Sequence, residues 1–200
     1  MGATASNAFD RLYAEQDDPW HIESPWYERR KRAVLLAALP FEQVDTIYEP
    51  GCGNGALSAG LANRCRRLLV SDTAPRALVN ARQRMAECNN VEFACETIPA
   101  QWPAEMVDCI ILSELGYYLD PPALDLLVQK IQNCLKPAGF LVACHWKPAF
   151  AERTCGTAQL HLVFEASLSL TRLVHHDEHD FLLDVWSTDG RSVAAREGML

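Results

Sequence analysis

The chain has eight cysteines but no CxxC pair, which removes the usual spacing of a zinc ribbon or a thioredoxin-like redox centre. Most of them stand in apolar, strand-like surroundings (Cys95, Cys109, Cys144), as small buried hydrophobes do in a reducing cytosol. No metal site is expected. No apolar run reaches the roughly 20 residues of a membrane span, and no charged stretch leads into an apolar one at the start. Met1-Gly2-Ala3-Thr4-Ala5-Ser6 fits a myristoylation pattern that arises easily by chance, so the opening reads as a flexible leader on a cytoplasmic, non-membrane chain. Positive charge is scarce as well: 18 Lys and Arg against 26 Asp and Glu leave a net charge of −8, which argues against a nucleic-acid partner. The basic runs at Arg29–Arg32 and Arg64–Arg67 read as solvated helix ends. Internal repeats and low-complexity segments are absent from the sequence.

What is present is an ordinary globular composition, 49% apolar and 22% charged over 200 residues, enough for a three-layer α/β core in one domain. Its most informative stretch is Glu49-Pro50-Gly51-Cys52-Gly53-Asn54-Gly55. An apolar run (Val44, Ile47, Tyr48) precedes it and a helix-like segment follows. That order of strand, glycine turn and helix builds a nucleotide-binding corner, where glycine permits positive φ and close approach of the backbone to a ligand. The carboxylate of Glu49 separates two ligand classes. It would repel a pyrophosphate and welcome an amino group and a sulfonium. S-adenosylmethionine carries both and has no phosphate.

Along the chain, residues 1–25 are polar and broken by Pro19 and Pro25. A helix is predicted over Tyr27–Leu39, stopped by Pro40. Strands follow at about 45–49, 68–72, 91–95, 107–112 and 140–144, with helices near 56–64, 75–86 and 121–135 between them and a turn at Lys136–Gly139. Alternating β and α implies a parallel sheet covered on both faces. The end differs. After a helix near 157–166, Leu168–His175 and Phe181–Trp186 are joined by a polar turn too short for anything but an antiparallel pair. The expected fold is therefore a Rossmann-like, seven-stranded, mostly parallel sheet with one antiparallel strand in a C-terminal hairpin. Residues 1–40 form a cap, 41–187 the core and 188–200 a tail.

Asp72, followed by Thr73, closes the second strand about twenty residues after the first glycine, where an acidic group accepts both ribose hydroxyls of an adenosine. Its other reading is a helix cap for the segment opening at Pro75. Glu96 and Thr97 follow the third strand, where Glu96 suits the adenine amino group and the Thr97 N–H a ring nitrogen. An exposed carboxylate at a loop start is the alternative. Ser113 and Glu114 end the fourth strand and should flank the methionine part of the cofactor.

These residues resemble class I S-adenosylmethionine-dependent methyltransferases. Asp17-Asp18-Pro19-Trp20, Tyr27-Glu28-Arg29 and Ser113-Glu114-Leu115-Gly116-Tyr117-Tyr118 are together similar to the nodulation protein S (NodS) family, over residues 9–145. The resemblance implies a cofactor site at Glu49, Gly51, Gly53, Asp72, Glu96 and Thr97, with a segment around Trp20 closing over it. The family's founding member is an N-methyltransferase of a deacetylated chitooligosaccharide. The turn at 50–55 and the run His145-Trp146-Lys147-Pro148 are nearer the wider methyltransferase group, so the cofactor carries over and that substrate does not. The expected function is methyl transfer to a small acceptor, such as the amine of an amino sugar.

An amine must shed a proton before attack. The candidates to receive it or to orient the acceptor are Glu114, Tyr118 and His145. Each has a structural alternative, as a loop contact, core packing and a satisfied histidine. His161 falls on a helix with a structural role as its alternative, and His175, His176 and His179 read as exposed turn residues without metal-pair spacing. Trp20, Tyr27 and Trp146 suit an aromatic wall. The competing classes are a nicotinamide-dependent oxidoreductase and a non-catalytic cofactor-binding protein.

Overall fold

The computed structural model describes residues 3–16 and 18–200, with side chains described from Phe9 onward. Among these residues, seven strands form one sheet in the order β3-β2-β1-β4-β5-β7-β6. The strands are β1 (Val44–Pro50), β2 (Cys65–Asp72), β3 (Val91–Cys95), β4 (Val107–Ser113), β5 (Leu135–Trp146), β6 (Thr171–Asp177) and β7 (Phe181–Ser187). β7 is antiparallel to both its neighbours and every other pairing is parallel, so six strands run one way and β7 alone runs back. This is the arrangement expected from the sequence.

The helices are α1 (Ala3–Glu15), α2 (Trp26–Ala38), α3 (Ser58–Leu61), α4 (Pro75–Arg84), α5 (Pro121–Cys134), α6 (Thr157–Ser167) and α7 (Val193–Arg196). Successive strand residues point to opposite faces, and the core divides accordingly. On one face Ile47, Leu68, Val70, Ile111, Val142 and Leu183 meet Leu35 of α2, Leu61 of α3 and Leu78 of α4. On the other, Tyr48, Leu69, Ile110, Leu112, Leu141 and Trp186 meet Leu127 and Ile131 of α5 and Leu160 and Phe164 of α6. Local chemistry sets the helix starts. Pro121 sits in the first turn of α5, where no N–H is needed, and the Asp120 carboxylate accepts the Ala123 N–H at 2.9 Å. Pro75 likewise occupies the first turn of α4, whose N-cap residue Ala74 offers no side-chain bond.

Two segments depart from expectation. The polar opening contains α1, which docks against α4 through Phe9, Tyr13, Ala74 and Ala77. The stretch Lys136–Gly139, read as a turn, lies inside β5: Val107 pairs with Leu135, and the register shifts before Cys109 meets Phe140. Ala138 takes φ +64° there, so the strand kinks at the Lys-Pro-Ala-Gly sequence without ending. The segment after β7 packs back against β5 and β7. Arg196 Nη2 donates to Ser187 Oγ at 2.9 Å, and its guanidinium lies 4.5 Å from the Phe140 ring centre. All eight cysteines are free thiols. No helix among the described residues is long and apolar enough to cross a membrane.

Candidate active site

The carboxyl ends of β1 and β2 put Glu49 and Asp72 on either side of the glycine turn. Gly51 and Cys52 donate their N–H groups to the Ser71 carbonyl at 2.7 and 3.0 Å, which folds the turn back over β2. Asp72 holds both of its next elements. Its Oδ2 accepts the Gly53 N–H at 2.9 Å and its Oδ1 the Ala74 N–H at 2.9 Å, fixing the entry to α4. Burial raises its pKa, against the pull of the backbone N–H groups of Ala74, Gly53 and Thr73. A carboxylate oxygen accepting one N–H still has a lone pair for a hydroxyl, so the capping role leaves room for the ribose role. Gly53 has φ +54°, and a Cβ there would stand 2.8 Å from the Tyr13 hydroxyl.

The fit of S-adenosylmethionine to this corner rests on Glu49. Its side chain is buried, at 3% exposure, and its Oε2 has no hydrogen-bond partner; nor has the buried Ser58 hydroxyl. Burial pushes the Glu49 pKa up to about 8, and the Asp72 charge adds to it. A buried carboxylate oxygen lacking a donor costs roughly 1–3 kcal/mol or more. An ammonium group supplies that donor together with compensating charge. A pyrophosphate supplies neither.

At the β3 end, Thr97 Oγ1 lies 2.8 Å from Thr73 Oγ1, so these two predicted residues meet. The Glu96 N–H donates to the Asp72 carbonyl at 3.0 Å, leaving its half-buried carboxylate at the rim. The Thr97 N–H, expected for an adenine nitrogen, donates instead to Gln101 Oε1 at 2.7 Å. The intraloop bond closes that position. Ser113 is half-buried at the end of β4, paired in register with Cys144.

The N-terminal segment closes over the glycine turn, and the residue that does so is Tyr13, which the sequence reading passed over. It is 5% exposed, and burial, helped by Asp72, drives its pKa up. Trp20 packs on it, with ring centres 5.5 Å apart, and on Phe9 at 6.0 Å, and Trp20 itself is 43% exposed. Phe9 extends the aromatic layer to Tyr118 at 5.3 Å. Phe9 and Tyr13, four residues apart on one helical face, were the available signal. A polar latch completes the closure: Asn54 Nδ2 donates to Glu23 Oε1 at 2.9 Å, Arg84 pairs with Glu23, and Arg84 Nε donates to the Asn54 carbonyl at 2.9 Å. Asp18 sets the bend into this latch by accepting the N–H groups of Ile22 and Glu23 at 2.9 and 3.0 Å. Asp17 lies outside the described residues.

Beyond β4 the chemistry is saturated. Glu114, at φ +55°, accepts from Lys31 Nζ at 2.8 Å, from the Trp146 N–H at 2.9 Å and from the Tyr117 hydroxyl. Lys31 also meets Glu28 at 3.0 Å. Burial is the largest influence on Lys31 and lowers its pKa, but Glu114 and Glu28 together outweigh it and keep the ammonium charged. His145 is fully buried. Its Nε2 accepts the Gly116 N–H at 3.3 Å and its Nδ1 lies 2.9 Å from His161 Nε2, so neither nitrogen faces a ligand. Burial, with His161 and Lys31, holds its pKa well below the usual histidine range. Tyr118 remains half-buried at the rim against Phe9 and Phe150, with its pKa pushed up to about 12 by burial, Glu114 and Glu152. His161 is bonded within the fold, its Nδ1 lying 2.6 Å from Asp184 Oδ2. His175 and His176 belong to β6 and are not turn residues, and His175 Nδ1 lies 2.7 Å from Asp184 Oδ1. Tyr27 and Trp146 do form an aromatic pair, ring centres 5.4 Å apart.

Comparison with known proteins places this geometry. The family model for nodulation protein S (NodS) matches residues 6–170. Nodulation protein S of Sinorhizobium fredii is 30% identical over 143 residues, which is 70% of this chain and 66% of that protein, so the match spans just under two thirds of the relative. The crystal structure of N-methyltransferase NodS from Bradyrhizobium japonicum WM9, in complex with S-adenosyl-L-homocysteine, superposes with a TM-score of 0.81 at 28% identity. That alignment covers 91% of this chain and 97% of that one. A Pseudomonas syringae crystal structure assigned as a methyltransferase is 46% identical, with a TM-score of 0.74 over 82% of this chain and 99% of that one. The nicotinamide-dependent and non-catalytic readings find no support in these relatives, and S-adenosylmethionine is the cofactor that goes with this family and fold.

Proposed function

The chain belongs to the nodulation protein S family of S-adenosylmethionine-dependent methyltransferases, and we propose that it transfers a methyl group to the amine of a small acceptor, an amino sugar or amino oligosaccharide. The carrying observation is the partnerless Glu49 Oε2 at the head of the glycine turn. It holds the cofactor amino group, with Asp72 at the ribose, Thr73 and Thr97 beside it, and Tyr13 as the cover. When bound, the cofactor supplies a sulfonium methyl, and displacement at that carbon needs little beyond alignment.

Alignment and exclusion of water are what these residues provide. The loop 114–118 is fixed by the Lys31–Glu114–Trp146 bonds, and well-oriented reactions reach effective molarities of about 10⁵–10⁸ M. With its pKa near 12, Tyr118 orients the acceptor and does not act as a base at neutral pH. Glu114 is engaged by the chain's own donors and His145 is enclosed, so the acceptor amine enters as its free base, its pKa lowered by desolvation under the aromatic cover. Tyr27 and Trp146 give an apolar wall suited to a sugar face. Residues 1–40 act as the cap of a core spanning 41–187. The free thiols fit a reducing cytosol.

The test is a transfer assay with methyl-labelled cofactor against amino sugars, small amines and hydroxylated metabolites. Label on an amine nitrogen supports the reading. Label on oxygen or carbon, or none despite cofactor binding, overturns it.

A further inference from the structure

Behind the loop 114–118 a file of polar side chains crosses the molecule, and methyl transfer has no direct use for it. It begins at the Gly116 N–H, passes through His145 on β5 and His161 on α6, and reaches Asp184 on β7, where His175 of β6 meets it from the half-exposed edge. His145 and Asp184 are 0% exposed and His161 is 4% exposed. Groups buried this deeply are retained only when hydrogen-bonded, and here the pattern of bonds permits one proton arrangement.

Gly116 can only donate, so His145 Nε2 is the unprotonated acceptor and the proton of the neutral ring sits on Nδ1. His145 Nδ1–H then donates to His161 Nε2, which leaves the His161 proton on Nδ1, directed at Asp184 Oδ2. Both rings are neutral and share one sense, their tautomers set by a backbone donor at one end and a carboxylate at the other. The charged groups around the file are Lys31, near His145, and Arg172, whose Nη1 is 3.7 Å from Asp184. The Tyr117 ring centre stands 5.2 Å from that of His145. Gly116 itself is wedged: a Cβ there would lie 2.8 Å from Leu160 of α6. The loop thus has steric and polar anchors on the same two elements.

We propose that His161 is a positioning residue: by fixing the His145 tautomer it holds the Gly116 N–H, and with it the loop 114–118 that carries Tyr118 against the acceptor. The kinetic part of this inference rests on the methyltransferase reading; the proton arrangement does not.

Two substitutions separate this role from mere packing. The amide of Gln reaches the place of histidine Nε2, and that of Asn the place of Nδ1. His161→Gln therefore keeps an acceptor for His145 and gives up Asp184, whereas His161→Asn keeps the Asp184 bond and abandons His145. In ¹⁵N-histidine NMR of the wild-type protein, both rings should show the proton on Nδ1. The Gly116 amide should keep its shift and exchange protection in His161→Gln and lose both in His161→Asn. In the transfer assay, kcat should fall about tenfold or more in His161→Asn, stay within about threefold in His161→Gln, and the cofactor KM should hold within about twofold in both. A His145 proton on Nε2, equal behaviour of the two variants at the Gly116 amide, or unchanged kcat in an Asn variant with a displaced amide overturns the proposal. A wild-type chain that methylates none of the acceptors defeats the functional reading instead, and the spectra still decide the relay.

Discussion

The two ends of the active site differ in what they leave unfinished. The corner at β1 and β2 keeps Glu49 Oε2 and Ser58 Oγ buried without partners, so its polar chemistry is completed only by a ligand. At β4 and β5, Glu114 accepts from Lys31, the Trp146 N–H and the Tyr117 hydroxyl, and His145 is engaged by Gly116 and His161. One region stores binding energy for an incoming charge. The other holds a surface still while something else reacts on it. On the proposed reading, a site divided this way would bind its cofactor by charge and its acceptor by shape.

The largest effect that would break this contrast is expected at the saturated end. Lys31→Met leaves Glu114 and Glu28 without their buried cation and should lower stability by about 3 kcal/mol, since breaking one side of a buried pair strands the other charge. Thermal unfolding measures it. Recovery of stability in a Lys31→Met, Glu114→Gln double variant confirms that the cost is the stranded carboxylate.

At the unfinished end, Glu49→Gln should weaken cofactor binding by about thirtyfold, the scale of one lost charged hydrogen bond, with no loss of ligand-free stability. Calorimetry that finds equal affinity would show the corner to be occupied by something other than an amino group. The same residue gives a pH signature. Its folded pKa, near 8, lies above the ordinary carboxylate value, so its contribution to stability is full below about pH 4.5 and is lost as pH rises towards 8. The melting temperature of the ligand-free protein should fall across that window, and Glu49→Gln should flatten the fall.

Asp72→Ala should cost about tenfold in cofactor affinity and preserve the sheet, because Gly51 and Cys52 still donate to Ser71. Unchanged affinity by calorimetry would leave Asp72 as a cap alone. The smallest change is expected for Tyr13→Phe: about threefold faster cofactor dissociation by stopped flow, since only the hydroxyl over Gly53 is removed.

The same contrast explains how much could be read from the residues in order. The corner was legible because its parts are adjacent: an acidic strand end, three glycines and Asp72 lie within some two dozen positions, and each residue type is dictated by backbone geometry. β3 and the C-terminal hairpin were legible for the same reason, from short-range alternation and a short turn. The saturated side was not. Lys31, Glu114, Tyr117 and Trp146 come from separate elements, and nothing in their local sequence says that the other three donate to Glu114. The His145–His161–Asp184 file is likewise assembled only by strand order. α1 was hidden because Phe9 and Tyr13, which dock it on α4, stand in a polar stretch. The extension of β5 through Pro137 was hidden because Lys-Pro-Ala-Gly carries turn chemistry, which the parallel pairing with β4 overrides.

Tyr13 stands over Gly53 but is carried by the amino-terminal helix, outside the sheet that binds the ligand. On the proposed reading, spent cofactor would leave when that helix lifts from α4. The pace of repeated turnover therefore inherits the strength of the Glu23–Asn54–Arg84 tie, and an enzyme with faultless transfer chemistry can still be slowed by a change made far from the methyl group.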